Sequence, residues 1–338
     1  MQQRQKRTAL VLSGGGARGS YQVGTLKAIA HIQPDGGMNP FDIICGTSAG
    51  ALNASMLACE SDHYGHAVKR LETLWQNLQS DQIHKVGYTQ LLKSTLRLFF
   101  SFFRNGIASG AASALLDNEP LRKLLSTEVD FDKLDEHINN GRLRALCITA
   151  LAYNSGHNIS FFQGDPSIKG WRRNQRLGVG TRLTHDHLMA SSALPTIFSP
   201  VKIDHEYFGD GAIRQRAPLS AALHLGAEKL FVVGVSYHEK EQEEPQKPVT
   251  HTPTFAQIAG HLLNSSFIDA MDEDIEMLEK FNFISRYLSS DQLKAANIRP
   301  IDVLTITPSI KFDEIAAKHI STLPLSMRTF FKTIGATS

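Results

Sequence analysis

A serine stands between glycines at Gly46-Thr47-Ser48-Ala49-Gly50. That G-x-S-x-G spacing is the pattern of a nucleophile elbow, a sharp strand-to-helix turn that lifts a serine hydroxyl above the end of a sheet. The context agrees: the apolar run FDIIC precedes it, and a helix-compatible run of small residues from Ala49 to Cys59 follows. So sharp a turn must hold Ser48 in a strained backbone conformation, while Gly46 and Gly50 give the neighbouring backbone room to pass. It projects the Ser48 hydroxyl at the carboxyl end of the sheet, where the N-terminus of the following helix supplies roughly half a positive charge.

A second chemical feature precedes the elbow. In VLSGGGARGSYQVG, Gly14, Gly16 and Gly19 match the G-x-G-x-x-G pattern of a dinucleotide-binding turn. That reading needs an acidic residue about 20 positions further on, at the end of the second strand, to hold a ribose hydroxyl. Here the second strand ends in the serine elbow; Asp42 lies at its beginning and Asp35 in a turn before it. NAD and FAD are therefore not expected. A nucleoside-triphosphate loop fails as well, because no Lys-Ser or Lys-Thr follows the glycines. What remains is an anion site without a nucleotide, made of backbone N–H groups at a helix N-terminus. If the sheet brings Gly14 to Gly19 beside Ser48, those donors form an oxyanion hole, each worth roughly 3–4 kcal/mol in the transition state. Arg18 either adds positive charge there or pairs with a surface carboxylate.

The serine also needs a base. Fourteen histidines are present, none in a diagnostic motif. A triad in the order Ser, Asp, His would leave His224 or His238 after Asp210. His224 falls in the small-residue helix PLSAALHLGA and His238 opens a charged loop, so both read as structural or solvated. Asp210 sits in Gly209-Asp210-Gly211-Ala212. Asp-Gly is by itself a favoured hairpin turn. Val201, Ile203 and Tyr207 before it alternate like a strand that delivers this turn to one edge of the sheet.

The elements that must position these residues read as alternating strands and helices, which argues for a parallel sheet covered by helices. Strands are expected at Thr8 to Leu12, Phe41 to Cys45, Arg142 to Leu151, Ile159 to Gln163, Lys229 to Tyr237 and Ile301 to Ile306. Helices are expected at Tyr21 to Ile32, Ala49 to Cys59, Tyr64 to Leu78 and His185 to Ala193, with a long one running from Phe255 through Leu278. Leu91 to Leu116 mixes Phe99, Phe100, Phe102 and Phe103 with Lys93, Arg97 and Arg104. It reads either as a core helix with a loop or as a lid that meets lipid head groups and acyl chains. His238 to Pro253 is charged and proline-rich, a solvated loop. The chain closes on the basic amphipathic LPLSMRTFFKTIG.

Composition bounds the rest. The chain has 338 residues, 42% hydrophobic and 20% charged, with a formal net charge of +2, so nothing global points to nucleic acid. Cys45, Cys59 and Cys147 show no metal-ligand spacing and read as reduced, buried thiols of a reducing, cytoplasmic compartment. MQQRQKR resembles the basic start of a signal peptide, but Ala9 to Leu12 is too short for its apolar region. No run approaches the roughly 18 apolar residues of a membrane span. A soluble protein, or one seated peripherally on a membrane, is expected.

GGGARG, GTSAG and DGA, in that order, resemble the patatin-like phospholipase family, and ASSALPTIFSPV (Ala190 to Val201) resembles a further segment of it. The likeness is clear from about Thr8 to Tyr237 and weaker at DVLTITPSIKF and the terminal segment. It implies a three-layer α/β/α fold with a mostly parallel central sheet and a helical C-terminal part. It implies a single catalytic domain over 6–336, with the motif-bearing core at 8–237, the charged loop at 238–253 and the helical part at 254–336. It also implies a Ser-Asp dyad that hydrolyses the acyl esters of a phospholipid or lysophospholipid. Ser48 is then the nucleophile and Asp210 its base. Gly14, Gly15, Gly16 and Arg18 line the oxyanion loop, and Gly46 and Gly50 flank the elbow. No metal, cofactor or nucleotide is expected. An ordinary carboxylate, with a pKa near 4, is a weak base. The mechanism therefore asks for burial to raise it. Two rival readings are a Ser-His-Asp esterase on another hydrolase fold and a non-catalytic lipid-binding or regulatory protein. The intact Ser48 and Asp210 speak against the second.

Overall fold

The computed structural model describes residues 6–33, 37–78, 118–195, 197–237, 255–296 and 298–319, with the single residues 252 and 328. Of residues 255–269, 313 and 317 it describes the backbone alone. Asp35, His238, the aromatic-basic segment 91–116, the charged loop and the terminal amphipathic segment lie outside the described residues, apart from those two single positions.

Strands β1 (Thr8–Leu12), β2 (Ile43–Thr47) and β3 (Ala145–Ala152) form the centre of the sheet. Their near-continuous apolar sequence is what a strand covered on both faces requires. Successive side chains point to opposite faces. Leu10, Leu12, Ile44, Leu146 and Ile148 enter one buried cluster, and Ala9, Val11, Ile43, Cys45, Ala145 and Cys147 enter the other. The first cluster is closed by α1 (Gly19–Ile32), α2 (Ala49–Cys59), α3 (Tyr64–Asn77), α4 (Glu119–Glu128), α5 (Lys133–Asn139) and α6 (His185–Ser191). The second is closed by α7 (Ser220–Leu225) and α8 (Phe255–Ser285). The result is the three-layer α/β/α arrangement expected from the sequence.

The remaining strands among the described residues are β4 (Asn158–Gly164), β5 (Trp171–Arg173), β6 (Arg176–Gly180), β7 (Val201–Ile203), β8 (Glu206–Asp210), β9 (Lys229–Val233) and β10 (Asp302–Ile306). Their order is β10-β9-β1-β2-β3-β4-β6-β5, with β8 on β3 and β7 on β8. From β10 to β3 every pairing is parallel; β3 pairs antiparallel with both β4 and β8. The order turns back at β1, and sheets of this kind bind ligands outside the carboxyl ends of their strands at such a point.

Several expected spans shift. β2 lies two residues nearer the elbow than Phe41 to Cys45. Asp42, just before it, gives its carboxylate to the Thr8 N–H at 2.7 Å and so serves the entry of β1. α1 starts at Gly19, earlier than Tyr21, after a short 3-10 turn at Gly16–Arg18. β9 stops at Val233, short of Tyr237, and the Gly234 N–H still donates to the Ile306 carbonyl. α4, α5, the hairpin β5–β6, α9 (Ser290–Ala295) and α10 (Phe312–His319) had no counterpart in the sequence reading. They are short or rich in charge, and their burial is decided by neighbours distant in sequence.

Candidate active site

Ser48 is the residue that precedes α2, at φ 55 and ψ −126. A residue that carries a Cβ is costly to hold at a positive φ and persists there only where the surroundings over-determine it. Those surroundings are steric. A Cβ on Gly46 would run into the Gly50 carbonyl, and one on Gly50 into the carbonyl oxygens of Leu12 and Ser13. β1, β2 and the start of α2 thus approach too closely for any side chain at either position. α2 is buried on all sides from Gly50 to Cys59, so the turn is anchored in the core.

Asp210 arrives from the other direction. β2 accompanies β3 as far as the pair Thr47↔Thr149 and then leaves it as the elbow. β8 takes the vacated edge of β3 from the opposite end, reaching Ala150↔Asp210. Two strands running head to head along one edge therefore bring their last residues together. The Ser48 hydroxyl donates to Asp210 Oδ2 at 2.6 Å. The other carboxylate oxygen, Oδ1, accepts the Ala212 N–H at 2.9 Å. Asp210 is wholly buried and Ser48 nearly so. Burial pushes the Asp210 carboxyl up to about 7, against the Ser48 hydroxyl and the Ala212 N–H, which favour the ionised form.

The end of α6 clamps both residues. Ser191, itself inaccessible, accepts the Ser48 N–H on its Oγ at 2.9 Å and donates to the Thr149 carbonyl at 2.7 Å. Its hydroxyl thus continues the β2–β3 ladder at the point where the two strands part, so neither buried backbone group is left unpaired. The Ala193 carbonyl accepts the Asp210 N–H at 2.9 Å. The sequence reading assigned Ser191 no role, although it stands in the quoted segment ASSALPTIFSPV.

The glycine loop packs on this elbow: Leu12 and Ser13 carbonyls meet Gly50, and a Cβ on Gly19 would touch that of Ala49 at 2.9 Å. Gly14 is buried, while Gly15 and Gly16 are progressively more open, Gly16 at φ 56. A buried amide network holds the loop. Gln22 Nε2 donates to the Ser13 carbonyl at 2.8 Å. Asn53 Nδ2 reaches the Gly19 carbonyl at 3.0 Å and Gln22 Oε1 at 2.9 Å, and Trp75 Nε1 donates to Asn53 Oδ1 at 2.8 Å. Gln22 and Asn53 also escaped the sequence reading; two inaccessible amides on otherwise apolar helix faces were the available signal. The Arg18 guanidinium lies over the Phe312 ring, 5.8 Å from its centroid.

Among the described residues no histidine bonds to Ser48 or Asp210. His224 stacks on Trp171 with centroids 4.9 Å apart, its Nδ1 2.7 Å from the Ser220 carbonyl. Cys45, Cys59 and Cys147 are buried free thiols. No helix among the described residues is long and apolar enough to cross a membrane.

The chain is 30% identical over 226 residues to a cGAMP-activated phospholipase of Vibrio cholerae serotype O1, a match covering 64% of this chain and 56% of that protein. It is 28% identical over 229 residues to the uncharacterized protein YjjU of Escherichia coli K12, covering 67% and 51%. The chain thus spans about half the length of these relatives. The crystal structure of VipD from Legionella pneumophila aligns over 91% of this chain and 63% of its own, at 15% identity and a TM-score of 0.41. The profile described as Patatin-like phospholipase matches residues 10–223, well over half of the sequence. The chain belongs to the patatin-like phospholipase family.

Proposed function

We propose that this protein is a serine lipid acyl hydrolase of the phospholipase A or lysophospholipase type, working through a Ser48–Asp210 dyad in a single patatin-like domain. The observation that carries the reading is the 2.6 Å hydrogen bond from the Ser48 hydroxyl to a fully buried carboxylate. A carboxyl held near 7 is a competent base at neutral pH, whereas one near 4 is not. As Ser48 Oγ attacks the ester carbonyl carbon, its proton passes to Asp210. The tetrahedral oxyanion is met by N–H groups of the loop at Gly14, Gly15 and Gly16, with Arg18 adding positive potential. The carbon–oxygen bond to the lysolipid or alcohol then breaks, and Asp210 returns the proton to the departing oxygen. Water, giving a proton to Asp210, attacks the acyl-Ser48 ester; as the acyl–oxygen bond breaks, Asp210 returns that proton to Ser48 Oγ and the fatty acid is released. The name of the Vibrio cholerae relative supports a phospholipid as substrate; the protein would reach it by peripheral contact with a membrane.

The test is mass spectrometry of a lipid extract incubated with wild type or Ser48→Ala, alongside a fluorophosphonate probe. Fatty acid release by the wild type alone, with the probe on Ser48, supports the reading. Absence of label on Ser48 favours a non-catalytic protein. Full turnover by Asp210→Asn, with loss in a single histidine variant, would put a Ser-His-Asp mechanism in its place.

A further inference from the structure

Four arginines gather at the dyad's end of the sheet. β4 begins at Asn158, opposite Leu151 of β3, and so beyond the level at which β2 turns into Ser48. Arg176 begins β6 beside Asn158, and its cross-strand partner on β5 is Arg173. Asn158 Nδ2 in turn donates to the carbonyl of Gly211, the residue after Asp210, at 2.7 Å. Arg214 Nη1 stands 2.8 Å from the place a Cβ of Gly156 would take. Arg216 lines a small cleft with Asn158, Ser160, Trp171 and Arg176.

Like charges directly opposite on paired strands are destabilising. Among the described residues none of these four side chains forms an ion pair with a carboxylate. Asp274, whose carboxyl feels the Arg176 charge, is half-buried and already accepts the Leu219 N–H at 2.9 Å. On the other side of Asp210, Tyr153 and Tyr207 are 38% and 49% exposed, joined by the Tyr153 N–H to the Tyr207 carbonyl at 2.9 Å. Tyrosines with an apolar body and a polar tip suit a boundary between hydrocarbon and water. Guanidinium groups bind phosphate oxygens in a fork.

We propose that Arg173, Arg176, Arg214 and Arg216, with Tyr153 and Tyr207, form the surface by which this protein docks on an anionic phospholipid bilayer, presenting the dyad's end of the sheet to its substrate. Arg173, Arg214 and Arg216 are exposed and only Arg176 is partly buried, which fits an array of head groups better than a single enclosed anion. Localised charge does this in a chain whose net charge is only +2. The purpose of the surface rests on the hydrolase reading; its binding does not, and the test separates them.

The full chain carrying Ser48→Ala, which leaves vesicles intact, is co-sedimented with phosphatidylcholine vesicles with and without phosphatidylglycerol. Binding is expected only with phosphatidylglycerol, at low salt, and should fade as salt rises. Each arginine changed to glutamine should cost about fivefold in vesicle affinity, and Arg173→Gln/Arg214→Gln/Arg216→Gln together on the order of 100-fold. In a background with Ser48 restored, the same triple variant should keep wild-type turnover of a soluble short-chain nitrophenyl ester, which also certifies its fold. Arg173→Gln alone, in the exposed hairpin, serves as the milder variant. No pelleting of Ser48→Ala with phosphatidylglycerol vesicles, or equal pelleting of the triple variant, overturns the proposal. Release by inorganic phosphate beyond that caused by sodium chloride of equal ionic strength would overturn it in favour of a phosphate-ion site. Absent turnover of the soluble ester by the wild type would overturn the hydrolase reading and leave the docking result standing.

Discussion

The two turns that carry Ser48 and Asp210 are built in opposite ways. Ser48 sits at a positive φ of 55, enforced by the close approach of β1, β2 and α2 at Gly46 and Gly50. Asp210 has an ordinary backbone, φ −54, and its strain is electrostatic: a carboxyl wholly inside the protein, lifted to about 7 by burial. One turn stores conformational energy and the other charge energy, and the end of α6 holds both through Ser191 and Ala193. Substitutions at the first should therefore act through shape at any pH. Substitutions at the second should act through protonation.

The largest effect expected is on turnover. Ser48→Ala and Asp210→Asn should each lower kcat by about 10⁴-fold or more in a lipid hydrolysis assay. Wild-type kcat/KM should rise along a limb with an apparent pKa of about 7, because Asp210 must be ionised to accept the proton.

The next is a stability change of opposite sign. A carboxyl whose pKa is raised on folding gives stability that is fully present below its unfolded value near 4 and is lost as pH rises through about 7. Asp210→Asn should consequently be more stable than wild type at pH 8, by up to about 4 kcal/mol. That advantage should shrink on acidification and vanish near pH 4. Urea melts across pH would show it, and a pH-independent difference would break the electrostatic half of the comparison.

Gly50→Ala tests the steric half. Its methyl would meet the Leu12 and Ser13 carbonyls, so a loss of about 1–3 kcal/mol, equal at pH 5 and pH 8, is expected, with activity falling alongside. Ser191→Ala should follow, at roughly 1–3 kcal/mol, since it strands the buried Ser48 N–H and Thr149 carbonyl. It should reduce kcat with little change in KM, because it loosens Ser48, the proposed nucleophile, and touches no substrate. The smallest effect belongs to Trp75→Phe, which removes the donor to Asn53 Oδ1 and should cost about 1 kcal/mol in a thermal melt.

Much of the site was legible because its components are local. A strand, two glycines and a small-residue helix are contiguous in FDIICGTSAG, and β1 and α2 fall on the spans expected for them. Asp210 was legible only as the last member of an ordered set of motifs, since Asp-Gly in isolation reads as a hairpin turn. The G-x-G-x-x-G match was informative through what failed to accompany it, an acid at the end of β2.

The sequence by itself determined the alternation of strands and helices, the elbow at Ser48 and the glycine loop after β1, because each depends on residues a few positions apart. Only the tertiary structure decided that β2 and β8 meet end to end along β3, and hence that Ser48 and Asp210 touch. It alone decided that Ser191 bridges the parting strands, that Gln22 and Asn53 hold the loop, and that Arg173, Arg176, Arg214 and Arg216 collect at one end of the sheet. Apart from Gln22 to Ser13, these contacts join residues dozens to more than a hundred positions apart. Their geometry follows from strand order and register, which no local pattern encodes. The Asp210 pKa belongs here too, for burial is a property of the assembled layers and not of any segment within them.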